Sequence, residues 1–474
     1  MFNRIKMLSV AVCSAFMLQA CHDDDFVATA DAPKQVLDIT SGVYAQMRAA
    51  PSANSLFQLA GTVAGTGAAV GDEPCQVKLH KMSYDTVGGA GEATTATGAV
   101  MVPYGTNAVC NGPRPVVLYA HGTTANRDYD LSTIIADQGN AANSEGAIML
   151  AFYAAQGYVV VAPNYAGYAD SALSYHPYAD EVQQSTDMID ALEHVRTHAA
   201  NIGADLSSKL FITGMSQGGY AAMATHKALQ AKGEAVTAST LISGPYALGD
   251  FLDAVVAGGA VNGGATTFAP MYLTALQNAH NIYDNPNEVY ASSTVEDMDY
   301  ASFAENSLPA PGANVAEDVG LPVSALFSNN FTAPTNHEFG YDDDHLLSDT
   351  FRMQYIAAFS GDETSNAAYK VRNLAHEGDL SDWTPSSPVT LCGAGNDPVV
   401  FHAINSDATA AKLGASVTNL DLTETATAAP TTAPEGVNAA MQAQWQGADI
   451  SLADIHSTTA VYCAGAGLGL FNSL

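Results

Sequence analysis

A serine set among glycines, Gly214-Met-Ser216-Gln-Gly218-Gly219, is the segment of this chain best suited to covalent chemistry. A serine hydroxyl is a weak nucleophile until a base takes its proton, and the base needs a carboxylate to hold its tautomer and stabilise the imidazolium. Such a serine sits on a sharp turn that lifts the hydroxyl clear of a sheet, and flanking glycines leave room for strand and helix to approach. The surroundings fit that geometry. Lys209–Thr213 reads as a strand and Tyr220–Ala231 as a helix, whose N-terminal amides and dipole favour developing negative charge. A stray motif of this kind is expected now and then in a chain with 40 glycines; the strand before it and the helix after it argue against coincidence here.

The elements that must hold this serine recur along the chain. Gln76–Tyr84 alternates as a strand, and Ala96–Pro103 is its hairpin partner, with Gly88, Gly89 and Gly91 in the turn. Pro115–Ala120, Tyr158–Ala162, Lys209–Thr213 and Thr237–Ser243 are continuous apolar runs. Between them Glu145–Gln156, Val182–Ala199 and Tyr220–Ala231 have helical spacing. Continuous apolar strands alternating with helices mean a mostly parallel sheet covered on both faces. The alternation stops near Tyr246 and resumes at Pro388–Cys392 and Ala415–Leu422. Residues 246–386, with short helices such as Phe251–Val256 and Met271–Ala279, read as a largely helical cap inserted between two late strands. The expected organisation is therefore a signal at 1–20, a tether and N-terminal cover at 21–74, core at 75–245, cap at 246–386, and core again at 387–474. Pro33–Arg48 fits one helix, and Thr423–Pro434 a surface loop.

The chain resembles the α/β-hydrolase superfamily, and within it the bacterial esterases related to the secretory lipases. The resemblance rests on Ala120-His121-Gly122-Thr123, on Pro163-Asn-Tyr165-Ala-Gly167-Tyr168, on His176-Pro177-Tyr178, on the serine motif and on Gly393-Ala-Gly-Asn-Asp397-Pro-Val-Val400. It implies an α/β-hydrolase fold and a triad in the order serine, acid, histidine. Asp397 follows a strand through a glycine-rich turn, at the sheet edge where ligands bind; Asp407 and Asp421 are its competitors. His402 and His456 are the histidines that follow both Ser216 and Asp397. His402 lies in an apparent helix beside Asp397, so His456, on a loop before the helical stretch Ser457–Phe471, is expected to be the base. The oxyanion hole needs two backbone N–H groups. Gln217, directly after the nucleophile, is expected to supply one, and Thr123 or else Thr124 the other. His121 is expected to brace that loop. Tyr165, Tyr168, His176 and Tyr178 are expected to shape the pocket mouth or pack beneath it.

Bulk properties limit the partners. Lys+Arg 16 against Asp+Glu 48 gives a net charge of −32, which repels phosphate and argues against nucleic acid. Arg4 and Lys6, the apolar run Met7–Leu18 and Leu18-Gln19-Ala20 before Cys21 have the layout of a secretory signal. They resemble the bacterial lipoprotein signal, which implies a lipid on Cys21 and outer-membrane placement, with plain secretion as the alternative. Of six cysteines, Cys13 would leave with the signal and Cys21 carry the lipid. The remaining four allow three pairings, and Cys75–Cys110 and Cys392–Cys463 join segments expected to be neighbours. No cysteine pair has zinc spacing, and no phosphate loop, dinucleotide fingerprint or metal motif is present, so no cofactor or metal is expected. Asp342-Asp343-Asp344-His345 lacks the spaced ligands and glycine of a calcium loop and reads as a solvated acidic loop.

These features imply hydrolysis of small-molecule or lipid carboxylic esters. A serine peptidase on the same fold would need the same three residues. A surface-anchored binding protein that kept the fold without the chemistry is the third reading.

Overall fold

The computed structural model describes residues 31–65, 75–137, 139–258, 265–290, 347–361, 365–425 and 429–474. Cys21 and Asp342–His345, expected as a lipid site and a solvated acidic loop, lie outside them. The described residues from Asp31 onward contain one nine-stranded sheet in the order β1-β2-β3-β5-β4-β6-β7-β8-β9. The strands are β1 (Lys34–Ile39), β2 (Gln76–Val87), β3 (Ala93–Tyr104), β4 (Arg114–Ala120), β5 (Val159–Pro163), β6 (Leu206–Met215), β7 (Ala238–Ile242), β8 (Val389–Gly393) and β9 (Val417–Asp421).

From β5 through β4 to β9 the pairing is parallel throughout. The other end is antiparallel: β1 pairs with β2, β2 with β3, and β3 with β5. β5, β7 and β8 are buried along their whole length, as the continuous apolar runs require. The β2–β3 hairpin turns where three glycines predict it, with the Gly88 N–H donating to the Glu92 carbonyl at 2.8 Å.

Helices cover both faces. α4 (Glu181–His198) and α5 (Gln217–Ala231) pack together over β4, β5 and β6. On the other face α12 (Ile455–Asn472) contacts β7 and β8 and packs with α2 (Pro51–Val63), α3 (Asn143–Phe152) and α11 (Ala433–Gly447). Between β7 and β8, which pair directly, lie α6 (Leu248–Val256), α7 (Ala265–His280), α8 (Asp349–Ala358) and α9 (Ala367–Glu377). α6, α8 and α9 contact one another. An ion-pair cluster joins them: Asp253 accepts from Arg372 Nε at 3.0 Å and Nη2 at 2.7 Å, and from Tyr355 at 3.0 Å. The short α1 (Ser41–Met47) and α10 (Ala408–Leu413) complete the set.

Three local expectations differ from the fold. Pro33–Arg48 is not one helix: Lys34–Ile39 is an edge strand on β2, and only Ser41–Met47 is helical. Its apolar residues fit either period, and the ladder of β2 backbone groups decides. Helix α11 begins at Ala433, inside the segment expected to be a loop, because Thr432 and Glu435 form a reciprocal capping box with Pro434 at the helix start. His456 lies in the first turn of α12 rather than on a free loop. Both expected disulfides are present, Cys75–Cys110 and Cys392–Cys463, with Cα separations of 5.4 and 5.7 Å.

Candidate active site

Ser216 stands between the end of β6 and the start of α5. Its backbone has φ +56° and ψ −121°, a conformation that side chains other than glycine rarely adopt. Strain of that kind persists only where surroundings enforce it. The Ser216 N–H donates to the Ile242 carbonyl of β7 at 2.8 Å. The neighbouring glycines are steric necessities: a Cβ on Gly218 would collide with the Ala120 carbonyl, and one on Gly214 with the Gly218 carbonyl. The elbow is thus wedged between β4, β6 and β7.

Asp397 and His456 are brought together. β8 ends at Gly393, and the chain turns so that the Asp397 N–H donates to the Ala394 carbonyl at 3.0 Å. Asp397 Oδ1 accepts from the Val399 and Val400 amides at 2.8 and 3.2 Å, and its Oδ2 lies 2.7 Å from His456 Nδ1. The carboxyl side chain is 1% exposed and the imidazole 13%. Because Nδ1 faces a carboxylate it carries the proton, which leaves the Nε2 lone pair free. That Nε2 atom is buried and has no hydrogen-bond partner. Contact between base and nucleophile is often formed only when substrate arrives.

The competing residues are engaged elsewhere. Asp421 Oδ1 accepts from the Gly395 amide at 2.8 Å and from the Thr423 amide at 2.8 Å, bracing the turn that carries Asp397. Asp407 Oδ1 accepts from Asn419 at 2.6 Å and lies 3.3 Å from His402 Nε2. His402 therefore lies beside Asp407, not Asp397.

Gln217 opens α5, so its amide has no carbonyl below it in the helix. Thr123 lies in the loop after β4. That loop is tied down around it. The Tyr165 hydroxyl donates to the His121 carbonyl at 3.1 Å, the Gly122 N–H to Glu145 at 3.1 Å, and the Tyr168 hydroxyl to the Thr124 carbonyl at 2.7 Å. His121 is a structural residue. Its ring is stacked between Tyr129 and Tyr165, with centroids 4.4 and 4.2 Å away, and burial pushes it down to about 4. Glu145, half-buried beneath the loop and also accepting from Tyr119 at 2.8 Å, has no motif that marks it in sequence.

Ser216 and Gln217 open onto a cavity of about 120 Å³. Its wall is almost entirely apolar, with Leu248, Phe251 and Val255 from α6, Phe268 and Tyr272 from α7, and Val400 beyond Asp397. Tyr178 lies at its edge. Among the described residues one group has ligand atoms close enough for a metal, Asp250, His376 and Asp379, all within 4.8 Å of one another. His376 Nε2 is already bonded to Asp253 at 3.0 Å, and Lys412 stands 3.7 Å from Asp250, so nearby cations answer this charge.

The fold has counterparts among known proteins. Over residues 147–238 the chain matches the prolyl oligopeptidase family. In structure it is similar to the rice cell wall degrading esterase LipA from Xanthomonas oryzae. The TM-score is 0.62 at 25% identity, covering 83% of this chain and 90% of that one. The chain has the α/β-hydrolase fold. A second structure, of a protein from Legionella pneumophila, shares the fold at 18% identity with a TM-score of 0.59, covering 82% of this chain and 90% of the other. No curated protein matches the sequence. In this hydrolase the segment recognised by the prolyl oligopeptidase family runs through β5, α4, β6, the elbow and α5, the half of the core that presents Ser216.

Proposed function

We propose that this hydrolase cleaves carboxylic esters through an acyl-enzyme on Ser216. His456 Nε2 takes the Ser216 proton as Oγ attacks the ester carbonyl. The charge on the tetrahedral oxygen falls to the Gln217 and Thr123 amides. Collapse expels the alcohol, which receives the proton from His456. Water then attacks the acyl group with His456 again as base, and Asp397 steadies the imidazolium in both halves.

The observation that carries the ester reading is the apolar cavity at Ser216. Its wall offers almost nothing to bond a peptide backbone, and it suits a hydrocarbon acyl group. The peptidase reading draws on the match to the prolyl oligopeptidase family, but that match ends before α6 and α7, which supply most of the pocket wall. Hydrolysis of p-nitrophenyl butyrate by the parent, lost in Ser216→Ala, is the expected result. Activity that survives in Ser216→Ala, or cleavage of peptides in preference to esters, overturns the proposal.

We place the protein outside the cytoplasm, as a lipoprotein held through Cys21. Two disulfides support an oxidising compartment, and no described helix is long and apolar enough to cross a membrane. Replacing Cys21 by alanine should move the protein from the membrane to the soluble fraction; unchanged partition would sink the anchor.

A further inference from the structure

Both proposed oxyanion donors belong to residues whose side chains reach one short segment, His176-Pro177-Tyr178. Thr123 Oγ1 shares a hydrogen bond of 2.8 Å with the Tyr178 hydroxyl. On the other side of the site, the Gln217 side-chain amide is bonded to His176 Nε2. Elsewhere the Thr123 loop is held through the backbone groups of His121, Gly122 and Thr124 and through the His121 ring, whose Nε2 lies 3.0 Å from the Asn164 carbonyl. Tyr178 takes Thr123 by its side chain, which leaves that residue's backbone amide uncommitted.

The chemistry of His176 fits a fixed role. Its Nδ1 faces the Ala166 carbonyl at 2.9 Å and so carries the proton, leaving Nε2 to accept from Gln217. The ring is packed against Tyr168, with centroids 4.7 Å apart, and burial pushes it down to about 3, so the neutral form prevails at ordinary pH. The segment is itself anchored. Two residues after Tyr178, Asp180 caps α4 by accepting from the Gln183 amide at 2.9 Å.

We infer that His176 and Tyr178 are positioning residues that set the two halves of the oxyanion hole, Gln217 and Thr123, at the spacing a tetrahedral oxyanion requires. The inference rests on the proposed ester hydrolysis. An oxyanion hole works because its donors are preorganised at the place where charge develops, so loosening one should weaken transition-state binding and spare the ground state.

The test is a double-mutant cycle on the intact protein with Thr123→Val and Tyr178→Phe. Each removes one end of the same hydrogen bond and keeps both the backbone amide and the pocket wall. Both single variants and the double should lose about tenfold in kcat, by the same amount, with KM unchanged. The affinity for an alkyl boronic acid, which forms a tetrahedral anionic adduct on serine, should fall by the same factor as kcat/KM. Gln217→Met should act likewise through the His176 tie, and thermal unfolding of each variant confirms that it is folded. Additive losses in the cycle, or losses confined to KM, would overturn the inference. Ser216→Ala is assayed alongside. If it stays active, the ester reading itself falls; if it is dead while Thr123→Val and Tyr178→Phe match the parent, only the positioning role falls.

Discussion

At the scale of single residues, the site is a set of atoms whose hydrogen bonds are arranged in advance. Asp397 accepts from two amides on one oxygen and meets His456 Nδ1 with the other. An asparagine there would keep the shape but present an amide donor or a weaker acceptor to Nδ1. That would favour the wrong tautomer of His456 and place its proton where the lone pair is needed. Asp397→Asn should therefore lower kcat by about 10³–10⁴-fold with little change in KM, measured on the same p-nitrophenyl ester. A loss of less than tenfold would show that His456 does not depend on this carboxylate. Glu145 acts at one remove. It is half-buried under the loop that carries Thr123 and accepts from the Gly122 amide, so it supports that loop without reaching the cavity.

Elements deliver these residues, and two of them are riveted. The Cys392–Cys463 bridge joins β8, which leads to Asp397, to α12, which begins beside His456. The Cys75–Cys110 bridge instead joins the start of β2 to the segment before β4, away from the acid and base. Removing either bridge by paired alanines should cost roughly 2–4 kcal/mol of stability. Only the Cys392–Cys463 variant should also lose kcat when assayed well below its unfolding temperature. Equal kcat in the two variants would show that the bridge does not set the acid and base. The pocket wall is likewise an element property, since α6 and α7 supply most of it. Phe251→Ala would open that wall by most of an aromatic ring. The preferred p-nitrophenyl ester should shift to a longer acyl chain, read as kcat/KM across a chain-length series; an unchanged optimum would remove α6 from the acyl site.

Over the whole molecule, several imidazoles are buried in neutral form. Burial pushes His121 and His226 down to about 4 and His176 to about 3. A histidine whose folded value lies below its unfolded value binds fewer protons when folded. Its contribution to stability is complete above about 6.5 and is lost as pH falls from there towards its folded value. Asp187 has the opposite sign. Burial raises it to about 6, so it favours the fold below the usual carboxylate range and that contribution fades as pH rises through about 6. It offsets part of the acid loss. His226 is the cleanest probe, buried between Ser239 and Ser387 hydroxyls at 2.9 and 3.1 Å and outside the site. The stability advantage of the parent over His226→Asn should be greatest above pH 7. It should shrink by up to about 1.4 kcal/mol for each pH unit below 6.5, as measured by urea unfolding. An advantage that does not change between pH 8 and 5 would mean that His226 is not held neutral.

The strands from β2 onward, most of the helices between them and the serine elbow are written in local pattern. Apolar runs, glycine turns and residue spacing are short-range signals, and a strand entering a helix through Gly214–Gly219 leaves little choice of geometry. The contact between Asp397 and His456 was open to reasoning because few histidines follow the acid, although their junction spans 59 residues. Other features were decided only when distant segments met. β1 became a strand because β2 offered it a hydrogen-bonding edge. β3 runs antiparallel to β5, a direction that no hydrophobic period records. The ties of Tyr178 to Thr123 and of His176 to Gln217 join residues 55 and 41 positions apart. Each is a directional bond between single side chains. Such bonds leave no repeating signal in the chain, and they exist only once the sheet has set the loops face to face.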